Sequence, residues 1–236
     1  TFTLSSVCVS NPSNLITING KPTATISGDQ SICIGASTQL IPSTGGTWVS
    51  SHPLIASVTN SGLVTGITSG QATFIYTETS SGCVSNPSSA VQIKTKPIIS
   101  LTGDDEICAG LTTSFSPSSG GIWTSSNTAI ATISNAGLVF GVGPGQATFT
   151  FRDNNTGCNS DASTAVTIHP KPIINFNCPS IICVGDNSCL LPEASGTGGT
   201  WISSNNAIAQ INQEGVVVGI AAGSVTFTYT APATGC

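Results

Sequence analysis

The chain has 236 residues, and only 6% of them are charged, against roughly 25% in ordinary soluble domains. Ten acidic and five basic residues leave a formal charge of −5, which excludes nucleic acid and anionic lipid as partners, since both need clustered Lys and Arg. No apolar run approaches the roughly 20 residues a membrane helix needs, so no membrane insertion is expected, and Ser, Thr, Asn and Gly are left to solvate the surface.

The opening "TFTLSS" reads as the interior of a strand, so the sequence is expected to be a piece of a longer chain. After the linker "GKP" comes "STQLIP", a short strand around Leu40. "TGGTW" supplies turn glycines ahead of a strand carrying Trp48. "IASVTNSGLVTGI" is expected to be a hairpin turning on Asn60-Ser61-Gly62. "QATFIYT" alternates, with Ala72, Phe74 and Tyr76 on one face and Thr73 and Ile75 on the other, the pattern of one half-buried strand. No stretch carries a helical period.

The same order then recurs. With an offset of 75 residues, Pro22 falls on Pro97 and Pro172, Cys33 on Cys108 and Cys183, and Trp48 on Trp123. Trp201 and Cys236 follow after an insertion of three residues in "PEASGTGGTW", so Cys83, Cys158 and Cys236 correspond. "VCVSNPSNLITING" likewise matches "GCVSNPSSAVQIK", placing Cys8 on Cys83. The expected organisation is therefore the last strands of a preceding repeat (1–20), two whole repeats (21–94 and 95–169), and a third lacking its last strand (170–236). Six or seven short strands per repeat with one Trp predict an all-β protein, each repeat of about 75 residues a small antiparallel β-sandwich. The expected core includes Trp48, Trp123, Trp201, Phe74, Phe149 and Phe227. Pro in each linker stiffens the junctions and suits an end-to-end rod. Such a rod would be roughly 100–130 Å long.

From Trp123 the second copy reads "WTSSNTAIATISNAGLVFGVGPGQATFT", which resembles the bacterial immunoglobulin-like group 2 domain. The Trp, the Ala-flanked strand, the Gly-Leu-Val-x-Gly hairpin and the Gly before the long strand stand in order, and the likeness extends over all three copies. "ICxG" at the front and "GC" near the end are further similar to repeats in giant surface adhesins of gliding bacteria exported by type IX secretion. The resemblance implies tandem immunoglobulin-like repeats at the cell surface, working as an adhesin stalk in attachment or gliding rather than as an enzyme.

Nine cysteines with so little charge point to an oxidising compartment and disulfides. Two pairings fit the spacing. Each repeat could close on itself, as Cys33–Cys83, Cys108–Cys158 and Cys183–Cys236. Alternatively the early cysteine of one repeat joins the late cysteine of the next, as Cys33–Cys158 and Cys108–Cys236, leaving Cys8, Cys83 and Cys183 to partners outside the sequence. Loop entropy separates a 125-residue from a 50-residue loop by only about 0.8 kcal/mol. In an immunoglobulin-like sandwich the first and last turns lie at opposite ends, roughly 20 Å apart, against the roughly 7 Å a disulfide tolerates. The scheme between repeats is therefore favoured. Cys178 and Cys189, placed around the Cys183 turn, are expected to form a cross-hairpin pair.

Other chemistry is thin. His52 stands where Asn127 and Asn205 stand in the other copies, and His169 stands in the place of Lys94; neither recurs. Asp104, Asp105 and Glu106 are candidate calcium ligands, although "GDQS" and "CPSI" replace the cluster in the other repeats and a solvated loop is the simpler reading. No cofactor is expected. Asn154-Asn155-Thr156 is a glycosylation sequon. The expected function is a structural, load-bearing segment of a very large extracellular adhesin or filament, its partners the neighbouring repeats of the same chain and, through other regions, a surface or glycan. The alternatives are a glycan- or surface-binding immunoglobulin-like module and the stalk of a secreted enzyme.

Overall fold

A computed structural model describes residues 13–176, 180–193 and 198–236. The chain divides into two compact units, Thr1–Thr95 and Lys96–Cys236. The described secondary structure is all β.

The described residues of the first unit form nine strands: β1 (Thr25–Ile26), β2 (Ser31–Cys33), β3 (Ser37–Ile41), β4 (Gly46–Ser50), β5 (Ala56–Val58), β6 (Leu63–Gly66), β7 (Gly70–Ala72), β8 (Phe74–Glu78) and β9 (Val91–Lys94). They pair as a β1-β3-β6-β5 sheet, a β2-β9-β7 sheet and a β4-β8 ribbon. Leu40, Ala56 and Val64 from the first sheet meet Ile32, Trp48, Ala72, Phe74, Tyr76, Val91 and Ile93 from the others in one core. The arrangement is an immunoglobulin-like sandwich with more, shorter strands than the six or seven expected.

Two local choices account for the difference. The alternating run expected as one strand is cut at Thr73: β7 pairs with β9, while β8 pairs with β4. Burial still alternates, since Ala72, Phe74 and Tyr76 are all buried. The cut is held by Ser51, whose hydroxyl accepts from the Thr73 amide at 2.9 Å while its own amide donates to the Thr73 carbonyl. The entry of the repeat is split as well. β1 runs antiparallel to β3, and β2 then runs parallel to β9, so the sandwich is not purely antiparallel. Gly28 marks the crossing, where a Cβ would run into the Thr38 side chain.

The second unit repeats the plan in β10 (Ser100–Leu101), β11 (Glu106–Cys108), β12 (Thr112–Ser116), β13 (Gly121–Ser125), β14 (Ala131–Ile133), β15 (Leu138–Gly141), β16 (Gly145–Ala147), β17 (Phe149–Asp153) and β18 (Val166–His169). Its sheets are β10-β12-β15-β14, β11-β18-β16 and β13-β17. The third repeat supplies β19 (Ile173–Phe176), β20 (Asn187–Glu193), β21 (Thr200–Ser203), β22 (Ala209–Ile211), β23 (Val216–Gly219) and β24 (Phe227–Thr230). These form β19-β20-β23-β22 and β21-β24. Among the described residues of this repeat nothing corresponds to the β2-β9-β7 or β11-β18-β16 sheet.

Each tryptophan packs against one ring of the facing strand: Trp48 on Tyr76, Trp123 on Phe151 and Trp201 on Tyr229, with centroids 4.9–5.1 Å apart. The glycine pair before each tryptophan serves this contact. Gly46, Gly121 and Gly199 lie so close to the ring of Tyr76, Phe151 or Tyr229 that a Cβ would overlap it. The preceding Gly45, Gly120 and Gly198 take positive φ, a conformation open to glycine at little cost.

Candidate functional site

The cysteine turns are the chemically distinctive part of the chain. β11 ends on Cys108, and β17 is followed by a tight turn that delivers Cys158. That turn is built alike in every copy. The amides of Gly82, Gly157 and Gly235, all at positive φ, donate to the carbonyls of Glu78, Asp153 and Ala231, four residues back. In the second copy the Asp153 carboxylate also accepts from the amides of Asn155 and Thr156, at 3.0 and 2.6 Å. Thr156, first through its amide and then through its hydroxyl, holds the Asp153 carboxyl below the usual carboxylate range. Asn154, the sequon asparagine, is exposed on the same turn.

The first and last cysteines of a repeat lie at opposite ends of the sandwich. The Ile34 amide next to Cys33 donates to Lys94, and the Gly35 amide donates to Gly66, close to the start of β3 at Ser37. β3 then runs to Ile41, and the loop beyond it enters β4 at Gly46, which pairs with Glu78 beside the Cys83 turn. Cys83 carries a free thiol, as does the exposed Cys183.

Cys108 instead joins Cys236, with Cα atoms 5.6 Å apart and a sequence separation of 128. This bond links the front of the second sandwich to the last turn of the third. Cys33 and Cys158 are each disulfide-bonded. Closure of each repeat on itself is therefore overturned, because Cys33–Cys83 and Cys183–Cys236 would each need a thiol that is free, and Cys108–Cys158 one that is bound to Cys236. Cys8 and Cys178 lie outside the described residues, as does the Cys189 side chain, and the Cys178–Cys189 pairing with them.

The remaining candidates are dispersed. Asp104, Asp105 and Glu106 are all exposed, and no group of three or more acidic, His or Cys side chains that could hold a metal ion forms among the described residues. Glu106 instead bonds His169 Nε2 at 3.0 Å across the β11-β18 edge. The carbonyls of Asp104 and Asp105 accept from the Thr113 hydroxyl and the Thr167 amide, so this segment secures the sheet edge. His52 Nδ1 is 3.0 Å from the Ser51 hydroxyl on the surface. At the same place Asn127 and Asn205 accept from the amides two residues on, so the position is a turn-former that His occupies in one copy. Of the expected core residues, Trp48, Trp123, Trp201, Phe74 and Phe149 are buried, but Phe227 is only half-buried.

A set of serines escaped the sequence reading. Ser85 and Ser88 are buried, and their hydroxyls accept from the amides of Tyr76 and Phe74. Ser160 and Ser163 do the same for Phe151 and Phe149. They satisfy the β8 and β17 amides along the stretch between the cysteine turn and the last strand. Their signal was present: Ser stands two and five residues after Cys83 and Cys158 alike.

Residues 109–166, within the second repeat, match the family model of the bacterial Ig-like domain (group 2). Ice-binding protein 1 of Shewanella frigidimarina (strain NCIMB 400) is 28% identical over 210 residues, which are 79% of this chain. The chain spans 23% of that protein's length. Among solved structures, invasin, a bacterial integrin-binding protein, aligns at 16% identity over 90% of this chain and 57% of its own, with a TM-score of 0.37. A C-terminal 282-residue fragment of intimin, crystallised with the intimin-binding domain of its translocated receptor, aligns at 13% identity over 64% of this chain and 65% of its own, with a TM-score of 0.36. Domains 4 and 5 of the S-layer protein SbsC align at 17% identity over 63% and 98%, with a TM-score of 0.26.

Proposed function

We propose that this chain, whose second repeat matches the bacterial Ig-like domain model, is a load-bearing repeat segment of a very large extracellular adhesin or cell-surface filament. The observation that carries the reading is the Cys108–Cys236 bond, which ties the front of one sandwich to the last turn of the next. A covalent tie between successive sandwiches limits how far a stack of them lengthens under tension. The same tie one repeat earlier, from Cys33 to Cys158, belongs to this reading, as does end-to-end stacking. The scarcity of charge supports it too, since such a surface responds little to salt. Its work is mechanical, with no catalytic step, and its partners are neighbouring repeats and, through other regions, a surface or glycan target. The activity named for the ice-binding relative stays with that protein.

Pulling the 236-residue chain by its ends in a single-molecule force instrument tests the reading. Reduction should release at least the span between Cys108 and Cys236, about 450 Å of added contour length at roughly 3.5 Å per residue, and more from the bonds at Cys33 and Cys158. Equal extension with and without reductant would remove the mechanical role and leave the glycan-binding module as the reading to pursue.

A further inference from the structure

The two cysteines of the bond between sandwiches stand in unlike surroundings. On β2 and β11 the isoleucines Ile32 and Ile107 are buried in the cores, so Cys33 and Cys108, one residue on, lie on the opposite face of their strands. Each meets a basic residue there. β2 runs parallel to β9 and sets Cys33 opposite Lys94, and β11 runs parallel to β18 and sets Cys108 opposite His169. Adjacent strands are about 4.8 Å apart, and residues in register share a face. The amide that follows each cysteine donates to the carbonyl of the same basic residue, Ile34 to Lys94 and Ala109 to His169, and so fixes the pairing. Lys171 brings a second cation close to Cys108: its Nζ would lie 3.2 Å from a Cβ placed at Gly110. The carboxylate on this face is Glu106, which bonds His169 Nε2 at 3.0 Å and restrains its ring.

The late cysteines meet the opposite sign. The Cys158 sulfur lies 4.0 Å from the Thr156 carbonyl oxygen, and the Cys236 sulfur 3.9 Å from that of Thr234, two residues back in each case. The Cys158 turn also contains the Asp153 carboxylate, and Cys158 is fully buried. The arrangement at Cys158, well inside the sequence, is the same as at Cys236.

A thiolate is favoured beside Lys or protonated His and disfavoured against carbonyl and carboxylate oxygens. We propose that Cys108 is a site of thiol–disulfide exchange, activated by His169 and Lys171, through which the bond to Cys236 is made and broken. Its reagents are a small-molecule disulfide as oxidant and the corresponding thiol as reductant, of which glutathione is the probe. Cys236 is the slower partner. Cys33, with Lys94 in the place of His169, has the same character in the first repeat.

In making the bond, the Cys108 thiolate attacks one sulfur of glutathione disulfide and expels a glutathione thiolate. Cys236 gives up its proton, attacks the Cys108 sulfur of the mixed disulfide and expels the second glutathione thiolate. Two protein thiols are oxidised, one disulfide is reduced to two glutathione thiols, and these take up the two protons. In breaking it, a glutathione thiolate attacks the Cys236 sulfur and Cys108 leaves, because the better-stabilised thiolate leaves faster. A second glutathione then attacks the glutathione sulfur held on Cys236, which releases the Cys236 thiol and glutathione disulfide. The proposal concerns the chemistry of the bond and stands whether or not the bond carries load.

The test follows reduction of the Cys108–Cys236 bond by glutathione in the whole 236-residue chain, resolved by peptide mass spectrometry after acid quenching. Glutathione adducts should collect on Cys236 and the released thiol on Cys108. His169→Gln combined with Lys171→Gln keeps the bond, so the variant is compared in its folded state. It should slow the reduction at least ~3-fold, since a less stabilised thiolate leaves more slowly. Lys171→Arg, which keeps the charge, should restore most of the rate in the His169 background. In Cys236→Ser, where Cys108 is a thiol, its alkylation by iodoacetamide should rise with pH about a midpoint below the ordinary cysteine value of about 8.5. Adding His169→Gln and Lys171→Gln should return that midpoint to the ordinary value, a shift that loss of packing alone would not produce. Adducts on Cys108, a reduction rate unchanged by the two glutamines, or a Cys108 midpoint at or above the ordinary value would overturn the proposal.

Discussion

Asp153 shows how much a single side chain can contribute to placing a cysteine. Its carboxylate gathers the amides of Asn155 and Thr156 and so shapes the turn that ends on Cys158. In the first repeat the Glu78 carboxylate accepts from the Ser81 hydroxyl at the same turn, and in the third Ala231 offers no side-chain acceptor. Because the Thr156 bonds depress the folded pKa of Asp153, its contribution is present above the unfolded value, about 3.9, and is lost as pH falls through the lower folded value. The Thr156 amide resonance should therefore titrate with a midpoint below that of an ordinary aspartate, and Asp153→Asn should abolish the titration. A midpoint at or above the ordinary value would contradict the turn geometry. His52 offers the opposite lesson. Its place among Asn127 and Asn205 was legible from the repeat, and that place is a surface turn rather than a reaction centre.

Among the elements, the strands β8, β17 and β24 share one sequence pattern but not one environment. Phe74 and Phe149 are fully buried in their cores, whereas Phe227 is only half-buried. Phe149→Ala should cost about 3–5 kcal/mol, as a fully buried aromatic does. Phe227→Ala should cost clearly less, because much of that ring is already hydrated. Denaturant titration of each variant measures the difference, and equal losses would mean that the two rings are equally covered in solution. The alternation of Ala72, Phe74 and Tyr76 announced the buried face correctly. It said nothing of the break at Thr73, since alternation reports which side a residue faces and not which strand its amides meet. The serines went unread for a related reason: hydroxyls that cap main-chain amides have no hydrophobic period.

For the whole molecule, the disulfide between sandwiches is the feature with the largest reach. A bond closing 128 residues constrains the unfolded chain more than most local contacts stabilise the folded one. Replacing Cys108 and Cys236 together by Ala should lower the stability of the Lys96–Cys236 unit by about 2–5 kcal/mol. Urea unfolding, followed by tryptophan fluorescence, reads this directly. An unchanged midpoint would show that the bond ties sandwiches that are already rigidly docked.

The all-β class, the repeat of about 75 residues, the hairpin at Asn60–Gly62 and the tryptophan cores followed from the amino-acid sequence alone. Each rests on local periodicity and turn chemistry, and the chain states each more than once. Two things waited for the tertiary structure: the strand that changes partners at Thr73 and the half-exposed Phe227; Cys236 was favoured over Cys158 as the partner of Cys108 only through the expected placement of the turns, not through spacing. The physical reason is common to them. Loop entropy barely distinguishes a long closure from a short one, so partners are chosen by which ends and edges meet in space. Periodicity along the chain carries no record of that.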